Sequence, residues 1–169
     1  MRGGRNQPVI RRFEPGDGPA CHAMRREAFL KVFSAELEGD AIEAGADAFD
    51  VTGFGQLLGS TDSFVAIEEG ERVGFCTIRY PHPETAEILY VYVDLARVGR
   101  GIGKRLVGHA ERWITEKHPE VTSIILDTAV PKYNRAFYEK LGYQELGPTV
   151  CRYPTGAVAA VRLVKRLRR

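Results

Sequence analysis

The sequence has few cysteines and little net charge. Its three cysteines, Cys21, Cys76 and Cys151, are widely spaced and odd in number, a pattern that suits neither a disulfide framework nor paired metal ligands. The formal net charge of the 169 residues is +2, which is too small to indicate nucleic acid as the main partner. We therefore expect a reducing, cytoplasmic location, no metal and no nucleic acid.

Long apolar runs are also missing. No run of roughly 18 apolar residues occurs, so the sequence predicts no transmembrane helix and no membrane partner. Residues 1–6 are basic, but no apolar segment follows them, so we expect a flexible basic tail and not a secretory signal. With 44% apolar residues, the chain can bury the core of one domain of ordinary size, which predicts a single domain over residues 1–169.

A glycine-rich basic stretch is the most informative part of the sequence. It follows the apolar run 88–93, opens a helical pattern, and reads Arg97-Val98-Gly99-Arg100-Gly101-Ile102-Gly103-Lys104. Glycines let a backbone approach a ligand closely, and the amides and positive dipole end of a helix N-terminus attract anions. This placement predicts a phosphate-binding loop.

Two common phosphate-binding motifs do not match this stretch. A P-loop has Ser or Thr after its Gly-Lys pair, whereas Arg105 follows Gly103 and Lys104 here. The dinucleotide fingerprint has a third glycine at the position that Leu106 occupies. A tight strand-to-helix turn without a ligand stays open for this stretch taken alone.

A second motif follows one helix and one strand later. It has an aromatic-Tyr pair, then three residues, a glycine and an aromatic, in the segment Asn134-Arg135-Ala136-Phe137-Tyr138-Glu139-Lys140-Leu141-Gly142-Tyr143. At this separation, the two motifs resemble the GNAT superfamily of acyl-CoA-dependent N-acyltransferases over residues 86–146. The family has glutamine or arginine where this chain has Val98, and Arg97 stands one place earlier.

Local patterns predict alternating strands and helices. We expect strands over residues 9–13, 63–67, 73–79, 86–94, 121–127, 143–145 and 157–167, and helices over 19–33, 41–49, 103–117 and 131–142. Between residues 34 and 60 we expect one or two short helices, because three glycines interrupt the pattern. With the resemblance, this order implies a GNAT-type three-layer α/β sandwich with four to five helices and a mixed sheet of about seven strands. The resemblance also implies that this sheet is splayed between the strand at 88–93 and the strand at 121–127.

The resemblance implies transfer of an acetyl group from acetyl-CoA to an amine by direct attack. Backbone amides of the loop are expected to hold the CoA pyrophosphate; these are Val98, Gly99, Arg100, Gly101, Ile102, Gly103 and Lys104. Main-chain groups of Val91 and Val93 are expected to pair with pantetheine, and an N–H of Tyr92 or Val93 to face the thioester oxygen. Asn134 lies one helical turn before Tyr138, so it is expected to contact CoA or to cap its helix.

Two side chains are candidates for proton transfer. Tyr138 matches the family tyrosine whose hydroxyl can protonate the departing thiolate, and simple packing under the sheet is the alternative. Glu87 matches a position that one branch of the family uses as general base, and a solvated strand-end residue is equally open. His82 is a further candidate base, and the residues expected to line the acceptor pocket are Tyr90, Tyr92 and Asp94.

The acceptor is expected to be a small-molecule amine or an amine of a peptide or protein. The segment between Val32 and Glu71 has no lysine or arginine and includes Glu36, Glu38, Asp40, Glu43, Asp47 and Asp50. Such a field predicts attraction of a cationic amine or basic peptide, with a solvated acidic face as the alternative. A non-catalytic acyl-CoA sensor stays open as another function, as does a nucleic-acid contact through the basic termini. Family members often dimerise, so a homodimer is a further expectation.

Overall fold

The computed structural model describes residues 7–34, 39–48, 50–153 and 156–167, and of residues 39–42, 132 and 153 it describes the backbone alone. The predicted basic tail over residues 1–6 lies outside these ranges. Within them, one sheet has the strand order β1-β2-β3-β4-β5-β7-β6. Its strands are β1 (Val9–Arg12), β2 (Asp62–Glu68), β3 (Glu71–His82), β4 (Thr85–Val93), β5 (Ser123–Ala129), β6 (Gln144–Tyr153) and β7 (Gly156–Arg166).

Helices cover both faces of this sheet. They are α1 (Gly18–Phe33), α2 (Gly39–Ala46), α3 (Val51–Gly59), α4 (Ile102–Lys117) and α5 (Arg135–Lys140). Val65 and Phe75 pack with α1 and α3, whereas their neighbours Phe64 and Cys76 pack with α4. Because successive strand residues point to opposite faces, α1 and α3 lie on one side and α4 on the other. The predicted three-layer α/β sandwich with a mixed sheet is confirmed.

The sheet opens in its middle. β4 and β5 are parallel, while the other neighbouring strands are antiparallel. Their pairing covers residues 85–87 of β4 and 123–125 of β5, although β4 continues to Val93. A bulge at Leu89 lies two residues after the last residue that pairs with β5, since Ile88 faces Ile78 while Tyr90 faces Thr77. The predicted splay between these two strands is confirmed.

Helix α4 forms where the sequence predicts it. Its residues Leu106, Ala110 and Ile114 are fully buried and recur every fourth position, so they form one apolar stripe against the sheet. The helix begins after Gly101 and ends before His118, which Pro119 follows.

Helix α3 forms although three glycines weaken its helical propensity. Asp50 caps it by accepting a hydrogen bond from the Gly53 N–H at 2.6 Å. Phe54 and Leu58 are buried, and a Cβ at Gly18 of α1 would lie 3.4 Å from the Gly55 Cα. The glycines therefore allow a close approach of α1 and α3, a tertiary effect that outweighs propensity.

Two strands are longer than predicted because each continues through a proline. β6 was predicted over residues 143–145 but reaches Tyr153 and includes Pro148. β6 is an edge strand, where the missing N–H of a proline is tolerated best. β3 includes Pro81, but its pairing with β2 ends at Ile78, so beyond this point it also has a free side.

The helix predicted over residues 131–142 is divided. A single 3-10 turn occupies Val130–Lys132, and α5 begins only at Arg135. The Asn134 side chain caps α5, since its Oδ1 accepts a hydrogen bond from the Phe137 N–H at 3.1 Å. Gly142 follows the helix with φ of 88°, the left-handed conformation that ends many helices.

Candidate functional site

A cavity of about 600 Å³ opens between β4, the start of α4 and α5. Its lining includes most of the predicted CoA-binding residues, namely Val91, Tyr92, Val93, Val98, Gly99, Gly101, Ile102, Gly103, Lys104, Asn134 and Tyr138. Leu95, Arg97 and Phe137, which were not predicted to bind CoA, also belong to it. Arg100 does not belong to this lining. The structure therefore brings the two sequence motifs and β4 to one cavity of a size that suits an organic ligand.

A second, smaller cavity of about 40 Å³ lies in the gap between β4 and β5. Residues 88–92 of β4, Leu126, Asp127 and Tyr138 line it. Val91, Tyr92 and Tyr138 belong to both linings, so the two cavities adjoin. Tyr138 therefore lies where the large cavity meets the splayed strands.

The glycine-rich loop presents unpaired amides to the large cavity. Gly99 and Gly101 have φ of 83° and 82°, values that strain residues with a side chain. A Cβ at either position would meet nothing within 4 Å, so these glycines are required for conformation and not for space. Gly101 is the N-cap of α4 and has no side chain to bind the amides of residues 102–104. These amides and the helix dipole suit a bound phosphate.

The arginines of the loop bind carboxylates of the protein itself. Arg97 forms ion pairs with Asp94 and Glu71 and lies 3.4 Å from Glu68. Hydrogen bonding to Asp94 is the main cause that raises the pKa of Arg97. Arg100 donates to Glu68 at 2.9 Å. Both arginines thus fasten the loop to the β2–β3 turn.

Lys104 is the basic residue of the loop that makes no hydrogen bond or ion pair to another described residue. It is exposed and lines the large cavity. Its ammonium group is therefore available to a ligand there.

The backbone of β4 has a defined orientation in the gap. Asp94 N–H donates to the Val73 carbonyl at 3.0 Å, and the Tyr92 carbonyl faces Gly74 of β3. Because backbone groups alternate in direction along a strand, Val91 and Val93 direct theirs away from β3. Of Tyr92 and Val93, the two residues expected to face a thioester oxygen, Val93 has its N–H on the side of the gap.

Aromatic neighbours hold Tyr138 in position. Its ring stacks on Tyr133 at 6.2 Å and meets Phe137 and Tyr143 edge to face. The Tyr138 carbonyl accepts the N–H of Tyr143 at 3.0 Å, which closes the turn after α5. Asn134, at the start of the same helix, both caps α5 and lines the large cavity, so its two predicted roles coexist.

Glu87 is buried beside the splay but does not line either cavity. It accepts a hydrogen bond from Arg79 Nε at 2.5 Å. Asp127, on the neighbouring strand, does line the smaller cavity and forms two hydrogen bonds with Arg162, both 2.8 Å long. Sequence reasoning missed Arg79, Asp127 and Arg162. Asp127 has a sequence signal, since it is the single charge in the segment of β5 that reads SIILDTA, whereas the strands of Arg79 and Arg162 carry other charges as well.

The other expected site residues divide between the cavity and the framework. Tyr90 and Tyr92 line the smaller cavity, and burial raises the pKa of Tyr90. His82 is exposed at the β3–β4 turn and lines neither cavity. Asp94 accepts the Ala96 N–H at 3.0 Å and pairs with Arg97, which gives it a structural role in the loop.

Helix α1 also contributes to the large cavity. Its residues in the lining are Ala28, Phe29, Val32 and Phe33. The sequence indicates these positions as an apolar helix face, and this pattern does not distinguish the wall of a cavity from a packed core.

The acidic segment after α1 is partly neutralised. Asp47 pairs with Arg26 at 2.7 Å, and Asp50 caps α3. Glu36 and Glu38 lie outside the described residues, as does the side chain of Asp40.

The described residues contain neither a membrane-spanning helix nor a cluster of metal ligands. No helix among them is long and apolar enough to cross a membrane. No group of three or more His, Cys, Asp or Glu residues among them could hold a metal ion.

The chain is similar to known proteins in its sequence and in its fold. Residues 22–143 match the family described as Acetyltransferase (GNAT) family. A GCN5-related N-acetyltransferase from Rhodopseudomonas palustris is similar in structure, with a TM-score of 0.80, 20% identity and coverage of 99% of this chain and 100% of that one. No curated protein matches the chain.

Two further solved structures have the same fold. The PaiA N-acetyltransferase from Thermoplasma acidophilum, in complex with coenzyme A, has a TM-score of 0.78 and 16% identity, with coverage of 96% of this chain and 100% of that one. A ribosomal-protein-alanine N-acetyltransferase from Brucella melitensis has a TM-score of 0.73 and 21% identity, with coverage of 94% and 99%.

Proposed function

The chain belongs to the GNAT acetyltransferase family, and we propose that it transfers the acetyl group of acetyl-CoA to a primary amine. One observation carries this proposal: a continuous path joins the unpaired amides at the start of α4, the backbone of β4 and the side chain of Tyr138. Phosphate, pantetheine and thioester occur in this order along acetyl-CoA. The related PaiA protein was solved with coenzyme A, which supports this ligand.

In the proposed complex, the loop binds the donor mainly through its backbone. Amides of residues 99–104 donate to the pyrophosphate, and Lys104 adds one mobile positive charge. Val91 donates and accepts hydrogen bonds along pantetheine and the Val93 carbonyl accepts one, as an added strand would. Acetyl-CoA supplies the acetyl group as a thioester, and the Val93 N–H is positioned to stabilise negative charge on the thioester oxygen.

Two side chains move the protons in this proposal. The amine nitrogen forms a bond to the thioester carbon, and the carbon–sulfur bond breaks with its electron pair on sulfur. Tyr138 donates its hydroxyl proton to this sulfur. Glu87 receives the proton of the amine through water, because its side chain is close to the gap but not on its wall.

Cysteine chemistry is not needed for this reaction, and the buried thiols do not offer it. Burial raises the pKa of both Cys21 and Cys76 to about 12, so neither forms a thiolate nucleophile near neutral pH. No cysteine occurs among the described residues that line the two cavities. Direct attack by the amine is therefore the proposed route. All three cysteines are free, which supports a reducing, cytoplasmic location.

Release of free CoA thiol from acetyl-CoA in the presence of single primary amines tests this function. We expect release with at least one amine, and Tyr138→Phe should lower kcat by about a hundredfold because the sulfur loses its proton donor. Tyr133→Phe is the matched control, because the Tyr133 hydroxyl donates to Glu145 at 2.5 Å and Tyr133 lines neither cavity. Tight binding of acetyl-CoA without thiol release from any amine or peptide would favour the sensor instead.

A further inference from the structure

Four charged side chains form one row across the open part of the sheet. Arg79 of β3 faces Glu87 of β4, and Asp127 of β5 faces Arg162 of β7. We call these four residues the charged row. Hydrogen bonding to Glu87 is the main cause that raises the pKa of Arg79, with a smaller contribution from the charge of Asp127. Asp127 and Glu87 act on Arg162 in the same way, so the two ion pairs interact.

The two carboxylate side chains of the charged row are more buried than its two arginine side chains. The side chains of Glu87 and Asp127 are 8% and 20% exposed, whereas those of Arg79 and Arg162 are 53% and 43% exposed. Arg162 uses Nε and Nη2 for Asp127, and Arg79 uses Nε for Glu87. A guanidinium has five N–H donors. Both arginines therefore keep N–H groups that no other described residue accepts, on side chains that are about half exposed.

The row reaches the proposed reaction centre through Asp127. Its carboxylate lines the smaller cavity together with Tyr138, the proposed proton donor. Tyr90 lines the same cavity. Burial raises the pKa of Tyr90 and the positive charge of Arg79 acts against this effect, so Arg79 also lies near the cavity. An amine that approaches Tyr138 from this side must pass the exposed arginines and then meets a carboxylate.

From this arrangement, we propose that the charged row binds the acceptor, and that the acceptor is an amine that also carries a carboxylate, as an amino acid does. This inference rests on the proposed acetyltransferase function. Asp127 holds the ammonium group of the acceptor beside the cavity, and the outer N–H groups of Arg162 and Arg79 hold its carboxylate. Charge-assisted hydrogen bonds of this kind are strong and directional.

The same arrangement disfavours polycationic acceptors. A polyamine or a lysine-rich peptide would place a second positive charge near Arg79 and Arg162, where like charges repel. In the acidic segment after α1, Asp47 is already paired with Arg26 and Asp50 caps a helix, so neither carboxylate is free to offset this repulsion.

Matched acceptors provide the first test. Each common L-amino acid is compared with its own primary amide in the thiol-release assay, with spermidine and a lysine-rich peptide alongside. The amide has the less basic amine and is more often deprotonated at neutral pH, so amine reactivity alone favours the amide. We expect at least one amino acid to exceed its amide by about tenfold in kcat/KM.

Arginine variants provide the second test. Arg162→Gln should raise the KM for that amino acid by about tenfold and leave its KM for acetyl-CoA unchanged, because the donor binds elsewhere. Arg166→Gln is the matched control: this exposed arginine lies on the same strand and, four residues later, on the same face. Arg162→Lys keeps the positive charge and should raise this KM less than Arg162→Gln does. Such a difference would show that the effect of Arg162→Gln does not come from misfolding.

The outcomes separate this inference from the proposed function. Thiol release that is equal for amino acids and amides, or fastest with spermidine or the peptide, would overturn the charged row as a carboxylate site while supporting acetyl transfer. Equal KM changes in Arg162→Gln and Arg166→Gln would overturn it as well. No release with any acceptor would instead overturn the proposed function, and this inference with it.

Discussion

In the proposed complex, the two halves of the cleft bind their ligands by different means. On the donor side, the loop of residues 97–104 offers backbone amides, and Arg97 and Arg100 are consumed by ion pairs to Asp94, Glu68 and Glu71. On the acceptor side, the charged row offers side chains from four different strands. The donor side thus depends on backbone conformation, and the acceptor side depends on the identity of individual side chains.

This difference explains how each half can vary. A site made of amides tolerates many side chains as long as glycines keep the backbone shape, and the exposed Val98 of this loop is one example. A site made of charged side chains changes its preferred ligand with one substitution. We therefore expect substitutions on the donor side to alter affinity for acetyl-CoA and substitutions on the acceptor side to alter the choice of amine.

The largest effect on this comparison is expected from Gly101→Val. A β-branched residue at φ of 82° is strained and would shift the amides that start α4. The dissociation constant for acetyl-CoA should rise by about a hundredfold, as measured by calorimetric titration.

The control for this variant is Gly147→Val in β6, a strand that contributes no residue to either cavity. Gly147 has φ of 143°, a value that also strains residues with a side chain, and a Cβ there would also meet nothing within 4 Å. Equal losses of acetyl-CoA affinity in both variants would show that general destabilisation, and not the donor site, explains the result.

A second prediction concerns the framework that both halves share. Asp17 is fully buried; burial alone would raise its pKa, but hydrogen bonds from Arg11, the Glu14 N–H and Arg72 lower it to about 2. Because the folded-state pKa lies below the ordinary value of 3.8, the carboxylate stabilises the fold above about pH 4 and loses this effect as the pH falls toward 2.

Urea unfolding between neutral pH and pH 2 measures this contribution. Asp17→Asn should cost about 2 kcal/mol at pH 7, and the difference from the original protein should shrink toward pH 2. Asp47→Asn, which breaks an exposed pair with Arg26, should change the free energy of unfolding little at any pH. A cost for Asp17→Asn that does not vary with pH would contradict the ionic origin of its stabilising effect.

The smallest effect is expected from the side chain of Lys104. Lys104→Gln should weaken acetyl-CoA binding by about fivefold at moderate ionic strength, and the loss should fall at high salt, because exposed charges are screened. Lys117→Gln, at the other end of α4, is the control and should not change binding. A loss in Lys104→Gln as large as that in Gly101→Val would contradict the view that amides dominate the donor side.

The residues of the donor side could be predicted from the sequence, whereas most of those of the acceptor side could not. The loop and the segment from Asn134 to Tyr143 are continuous motifs, so the sequence alone predicts them, and Asn134, Phe137, Tyr138 and most of the loop line one cavity. Arg79, Asp127 and Arg162 were not identified, because their proximity depends on strand register across β3, β4, β5 and β7. The fold class and the splay were predicted, whereas the predicted β6 ended at Glu145, before Pro148, since edge position is a property of the whole sheet.

The fate of the acetyl group tests the central claim most directly. The protein is incubated with acetyl-CoA that carries an isotopically labelled acetyl group and with a mixture of L-amino acids, and the products are identified by mass spectrometry. We predict that the label is found on an amino-acid nitrogen, in an amount equal to that of the free CoA thiol. A label that stays in acetyl-CoA while the protein holds that ligand tightly would contradict it.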